Sequence, residues 1–140
     1  MGMLSDFEVV DGIYIVQGDH KLDLHNEFDF QEVRYSVAER SASLRWRRGS
    51  GDWVRRDIPT TLCIEFDGVK EFRFVSRDSE MPFTEDDCLS TMGFLTDEPW
   101  SQGNVLLTSD PERDWLTAFA FQSGAVIALR AERATARIGL

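Results

Sequence analysis

Phe28-Asp29-Phe30-Gln31-Glu32-Val33-Arg34-Tyr35-Ser36-Val37, followed after a polar turn by Ala42-Ser43-Leu44-Arg45-Trp46-Arg47, is the stretch that decides the fold. Apolar and polar residues alternate through both runs. A period of two places one face of an extended chain in the core and the other in water. The phase slips once, because Phe28 and Phe30 are in step whereas Val33, Tyr35 and Val37 resume one residue late. A β-bulge near Gln31-Glu32 accounts for the slip, since one extra residue reverses every side chain beyond it. Residues 38–41 form the turn, and the returning run puts Leu44 and Trp46 on the core face with Arg45 and Arg47 in solvent.

Working outward, Gly12 to Val16 reads as a first short strand ended by Gly18-Asp19, and residues 19–27 as a polar connection anchored by Leu22 and Leu24. Gly49-Ser50-Gly51-Asp52 is a flexible loop; Trp53-Val54 resumes a strand that Pro59 ends. Thr61 to Asp67 and Val69 to Ser76 flank Asp67-Gly68, a hairpin signal that pairs Phe66 with Val69. Trp115 to Gln122 and Ala125 to Glu132 make a last hairpin about Ser123-Gly124. Between these, Pro82, Pro99 and Pro111 punctuate a less regular stretch in which Asn104 to Thr108 is a candidate strand. Thr84, with Asp87 three residues on, predicts a short helix whose apolar face is Leu89, Met92 and Phe94. The expected architecture is mainly β: one domain over 1–140, an antiparallel β-sandwich or curled sheet with one short helix.

A chain of 140 residues is the length of one domain, and a domain of that size buries about 68–70% of its unfolded surface. With 42% hydrophobic and 29% charged residues it can build its own core and is not a disordered composition. No apolar run approaches the roughly 18 residues of a membrane span. Residues 1–17 carry Asp6, Glu8 and Asp11 and no Lys or Arg, unlike a secretory signal. Cys63 and Cys88 have no CxxC spacing, so the expectation is a cytoplasmic protein with reduced thiols. The net charge of −10 is uneven. Residues 31–60 hold seven Arg against four acids, whereas residues 76–100 hold one Arg against seven acids. Such a field disfavours nucleic acid and anionic lipid and steers basic partners.

No residue pattern commits the chain to catalysis, a cofactor or a metal. His20 and His25 match no closed zinc spacing and read as solvated loop histidines. There is no GxSxG elbow, GxGxxG or Walker A lysine. The carboxylate groups Glu85-Asp86-Asp87 and Asp110-Pro-Glu-Arg-Asp114 read as solvated surface, and Cys88 as packing. Arg45, Arg47 and Arg48, with Arg55 and Arg56 across the glycine loop, are the one basic patch and read as a solvated sheet face. Trp53 and Trp100 lie in polar loops, where an indole is either a lid on the core or an anchor for a partner.

Leu24-His25-Asn26-Glu27-Phe28-Asp29-Phe30-Gln31-Glu32-Val33, then Ala42-Ser-Leu-Arg-Trp46 and Leu62-Cys-Ile-Glu-Phe-Asp-Gly-Val69, resembles small bacterial β-rich domains of uncharacterised or immunity-protein type. The likeness covers residues 22–75 and 115–132; Asn26 stands where the pattern has Asp, and residues 77–114 lie outside it. The resemblance implies a noncatalytic protein-binding role and carries over no functional residue. Two readings follow. One is a binding module, of the kind that inhibits a basic toxin, whose partner-facing residues are Glu85, Asp86, Asp87, Asp97, Glu98 and Trp100. The other is a small-molecule-binding or enzymatic β domain whose ten Phe and four Trp line an apolar pocket.

Overall fold

The phase slip in the deciding stretch is a bulge. In the computed structural model, which describes residues 3–108, 110–112 and 114–139, strands β5 (Phe28–Ser36) and β6 (Ser41–Arg48) pair antiparallel, with the register shifting between Phe30 and Glu32. Gln31 is the extra residue, so Phe30 opposes Trp46 and Val33 opposes Leu44 on one face. Before this hairpin come β1 (Leu4–Ser5), β2 (Glu8–Val10), β3 (Tyr14–Gln17) and β4 (His20–Asp23). After it come β7 (Thr61–Asp67), β8 (Glu71–Val75), β9 (Leu89–Leu95), β10 (Leu116–Phe121), β11 (Val126–Arg130) and β12 (Arg133–Gly139). The fold is mainly β, and the helical content among the described residues is two single 3-10 turns, Phe83–Glu85 and Pro99–Ser101. None of the described helices is long and apolar enough to cross a membrane.

Two sheets enclose the core, in the orders β1-β12-β7-β6-β5 and β8-β11-β10-β9. Strand β5 runs obliquely over the second sheet. Phe30 of β5 packs on Phe121 of β10 at 4.7 Å, and five residues on Tyr35 stacks on Phe72 of β8 at 4.6 Å, on the far side of β11. A third sheet, β2-β3-β4, ties both together: the Met92 N–H donates to the Gly12 carbonyl (2.6 Å), and Gln17 Nε2 donates to the Ala136 carbonyl (2.9 Å). Phe28, Leu44, Trp46, Leu62, Ile64, Phe66, Leu89 and Phe119 are all buried between the sheets. Each such side chain contributes about 1.5–3 kcal/mol relative to exposure. Of the aromatic residues proposed to line a pocket, Phe28, Trp46, Phe66, Phe119 and Phe121 are buried in this core, whereas Trp53, Phe74, Phe83 and Trp100 are exposed.

Several expectations are corrected. Leu89, Met92 and Phe94 belong to strand β9, not to a helix. Leu89 opposes Phe121 and Thr91 opposes Ala120, so Ser90 is a second bulge that brings Leu89 and Met92 to the same face. Their spacing of three imitates helical periodicity. Asp67-Gly68 is not a two-residue hairpin either: Phe66 pairs with Ala42 and Ala134, while β8 pairs with β11 in the other sheet. Gly68, at φ +66°, is the corner at which the chain changes sheets. The return crossing lies beside it, with the Glu132 N–H donating to the carbonyls of Asp67 and Gly68. Trp53-Val54 forms no strand, and Asn104 to Thr108 contributes one bridge, Leu106 to Phe94.

Candidate partner-binding site

The six residues expected to face a partner fall into two groups at opposite ends of β9. Glu85, Asp86 and Asp87 precede it, and Asp97, Glu98 and Trp100 follow it. Six residue steps at strand rise separate the groups by about 20 Å. In the first group Asp86 accepts from Arg77 Nε at 2.8 Å. Asp87 has its carboxyl pushed above the ordinary carboxylate range by partial desolvation, then by the charge of Asp29. Its backbone carbonyl accepts the Phe30 N–H at 2.8 Å, which fixes this turn against β5.

The second group borders a built feature. On the outer face of β8 and β11, Arg73 Nε donates to Glu71 at 2.6 Å, while its two terminal nitrogens donate to the two oxygens of Asp97 at 2.9 Å each. This two-pronged contact holds the Asp97 carboxyl below its usual range and raises the Arg73 guanidinium. Arg130 approaches Glu71 from β11 at 3.8 Å. With Glu98 and Asp114 these residues surround a surface cleft of about 200 Å³. Ser101 is buried and its hydroxyl donates within its own loop, to Glu98 (2.8 Å) and Thr96 (3.2 Å). The 3-10 turn is thereby pinned with Trp100 left 60% exposed, its ring 5.9 Å from that of Trp115.

Glu71, Arg73, Trp115 and Arg130 did not figure among the sequence candidates, and Asp114 figured only in a carboxylate run read as solvated surface. Glu71 and Arg73 stand two apart on a strand, which puts them on one face. Arg130 joins them only through the β8–β11 pairing, which the hairpin reading of Asp67-Gly68 conceals. The run from Asp110 to Asp114 includes Arg113, which is outside the described residues.

The basic patch is dispersed. Arg45 and Arg47 are exposed on the outer face of the first sheet, as their alternation requires. Arg48 and Arg56 instead donate to loop carbonyls: Arg48 to Arg56 and Ile58, Arg56 to Gly49, Ser50 and Gly51. Arg55 donates its backbone N–H and its guanidinium to the buried Glu27, whose carboxyl is lowered chiefly by that guanidinium. Trp53 is no lid on the core: it is 74% exposed, and its indole N–H donates to the Asn26 carbonyl at 2.8 Å.

His20 is exposed, but His25 is not a free loop histidine. It is half-buried, with Nδ1 2.5 Å from the Leu89 carbonyl and 3.8 Å from Cys88 Sγ. A carbonyl only accepts, so Nδ1 carries the proton and cannot take one from the thiol. Burial, then Glu85, Asp87 and Asp29, push the Cys88 thiol up. This pair is therefore unsuited to nucleophilic chemistry. Among the described residues no group of three or more His, Cys, Asp or Glu is placed to hold a metal ion.

No protein-family model matches the chain, and no curated protein or solved structure matches it either.

Proposed function

We propose that the chain is a noncatalytic protein-binding module whose partner is a basic protein, the role of an immunity-type inhibitor that covers a basic toxin. The observation that carries this reading is Trp100: a large indole held in solvent by a pinned turn, immediately after Asp97 and Glu98. Exposed aromatics of this kind supply much of the energy of an interface. The surrounding negative charge accelerates encounter with a basic surface and selects against acidic ones. The Asp97–Trp100 group is the contact surface in this reading. Glu85, Asp86 and Asp87, some 20 Å away along β9, serve a wide footprint or long-range steering.

A tagged chain incubated with lysate of its native host, washed at low and high salt, tests the reading. A stoichiometric basic protein released by salt is the expected result. Purified with the chain, that protein should associate at least tenfold more slowly when Glu85, Asp86, Asp87 and Glu98 are changed to amides. Recovery of no basic protein, or association that is unchanged by the amides and by salt, would overturn the proposal.

A further inference from the structure

The second sheet ends at β8, which pairs with β11 on one side only. Its register with β11 runs on past Val75. Three residues further, the Asp78 N–H donates to its next partner in step, the Ser123 carbonyl, at 2.8 Å. Successive residues of an antiparallel strand turn their backbone groups to alternate sides. Asp78 turns toward β11, so Phe72, Phe74 and Ser76 do likewise, and Glu71, Arg73, Val75 and Arg77 present N–H and C=O at the free edge. Among the described residues no backbone partner meets them there. Large apolar side chains stand along the same edge. Phe72 is covered by the Tyr35 ring, but Phe74 on the same face is 57% exposed and Val75 on the other is 54% exposed. An open apolar edge is a template for pairing with another chain.

Charge selects the occupant. Residues 69–78 set Lys70, Arg73 and Arg77 against Glu71 and Asp78, a formal +1 in a chain of −10. Two copies of this acidic molecule therefore avoid facing like charge with like here. Side chains directly opposite in a pair share a face, so a two-fold axis between two β8 strands must pass through a residue. An axis at Arg73 sets that guanidinium against its own copy, and one at Phe72 sets Lys70 against Phe74. An axis at Phe74 brings the two Phe74 rings together. It also sets Arg73 opposite Val75, Glu71 opposite Arg77 and Lys70 opposite Asp78, each twice. Glu71 and Arg77 already have partners in Arg73 and Asp86, whereas Lys70 makes no ion pair among the described residues. We propose that two copies of this chain associate through β8, antiparallel about an axis at Phe74, so that their four-stranded sheets become one continuous sheet. The edge strand is five residues long, so the association is expected between micromolar and millimolar concentrations.

Sedimentation equilibrium of the full chain over that range is the test. The average mass should climb from one chain toward two and go no higher. Val75→Pro deletes an N–H that points away from β11, so the thermal midpoint should hold while dimerisation falls about tenfold. Lys70→Glu alone and Asp78→Lys alone each put like charges opposite one another twice, and each should weaken the dimer about fivefold. The double exchange should bring it back to within about twofold of the parent chain. Asp78 also accepts the Glu80 N–H within its own turn, so a second readout of the axis guards against a local disturbance. Only a residue on the axis meets its own copy, so Phe74→Cys should form a disulfide-linked dimer in air well beyond the parent level, and Arg73→Cys should not. A chain that stays monomeric throughout, or a dimer indifferent to Val75→Pro, would overturn the proposal. So would a charge exchange that restores nothing together with equal cross-linking at positions 73 and 74. No partner protein enters these measurements, so their failure leaves the binding-module reading standing.

Discussion

At the scale of the residue, Glu27 is a buried carboxylate that joins two distant parts of the chain. It is 7% exposed, it accepts the backbone N–H and the guanidinium of Arg55, and its own carbonyl accepts the Gly49 N–H at 2.8 Å. A loop rich in glycine is thereby fixed against the start of β5. Glu27→Gln keeps the shape and removes the charge. We expect it to cost about 1.5–3 kcal/mol in urea denaturation at neutral pH, toward the lower end because Arg55 is half in water. The folded-state carboxyl lies below its ordinary value of 4.5. Its stabilisation is therefore complete above about pH 4.5 and fades as the pH falls through the folded value. The difference between parent and variant should accordingly shrink below pH 4.5; a difference that grows there would contradict the assignment. None of this was legible beforehand. Glu27 and Arg55 are 28 residues apart, and nothing in a period-two pattern says that an arginine beside a glycine loop turns inward.

At the scale of the element, the bulges explain both what the sequence disclosed and what it hid. The slip at Gln31 was readable because several alternating residues lie on each side of it, so the change of phase has a reference. Ser90 opens β9 with only Leu89 before it, and the same distortion passes for a turn of helix. The β5–β6 pairing, the core face of Trp46 and the mainly β class were legible for this reason. The β7–β8 separation was not, because Asp-Gly has the same backbone preferences at a hairpin as at a corner between sheets. Within β9, Gly93 has a local purpose. A Cβ there would meet the Leu106 carbonyl oxygen at 2.5 Å and Val105 at 2.7 Å. Glycine thus lets the 105–107 segment lie flat on the outer face, where Phe94 and Leu106 exchange backbone hydrogen bonds of 2.9 and 2.8 Å. Gly93→Val should lift that segment. The measurable consequence is faster amide hydrogen exchange at Phe94 and Leu106, with the Met92 amide, bonded to Gly12, still protected. Unchanged exchange at Leu106 would show that the segment does not depend on this close approach.

At the scale of the whole molecule, a net charge of −10 on one small domain works against compaction, and exposed ion pairs such as Arg34–Glu32, Arg73–Asp97 and Arg137–Glu65 are individually weak. Screening should therefore help more than it harms. The urea midpoint is expected to rise as sodium chloride goes from about 10 to about 200 mM, where the Debye length falls from about 30 Å to below 10 Å. A falling midpoint would mean that the ion pairs dominate. The crossing at Gly68 and Glu132 has a different kind of consequence. β12 lies between β1 and β7, although the whole second sheet separates it from them along the chain. On a ribosome, the first sheet stays unfinished until the residues of the last strand have emerged. A product stopped short of Arg133 would carry an open edge along β7, with Leu62, Ile64 and Phe66 uncovered on one side. Quality control in the cell would meet such a fragment as an aggregation hazard rather than as a smaller working domain.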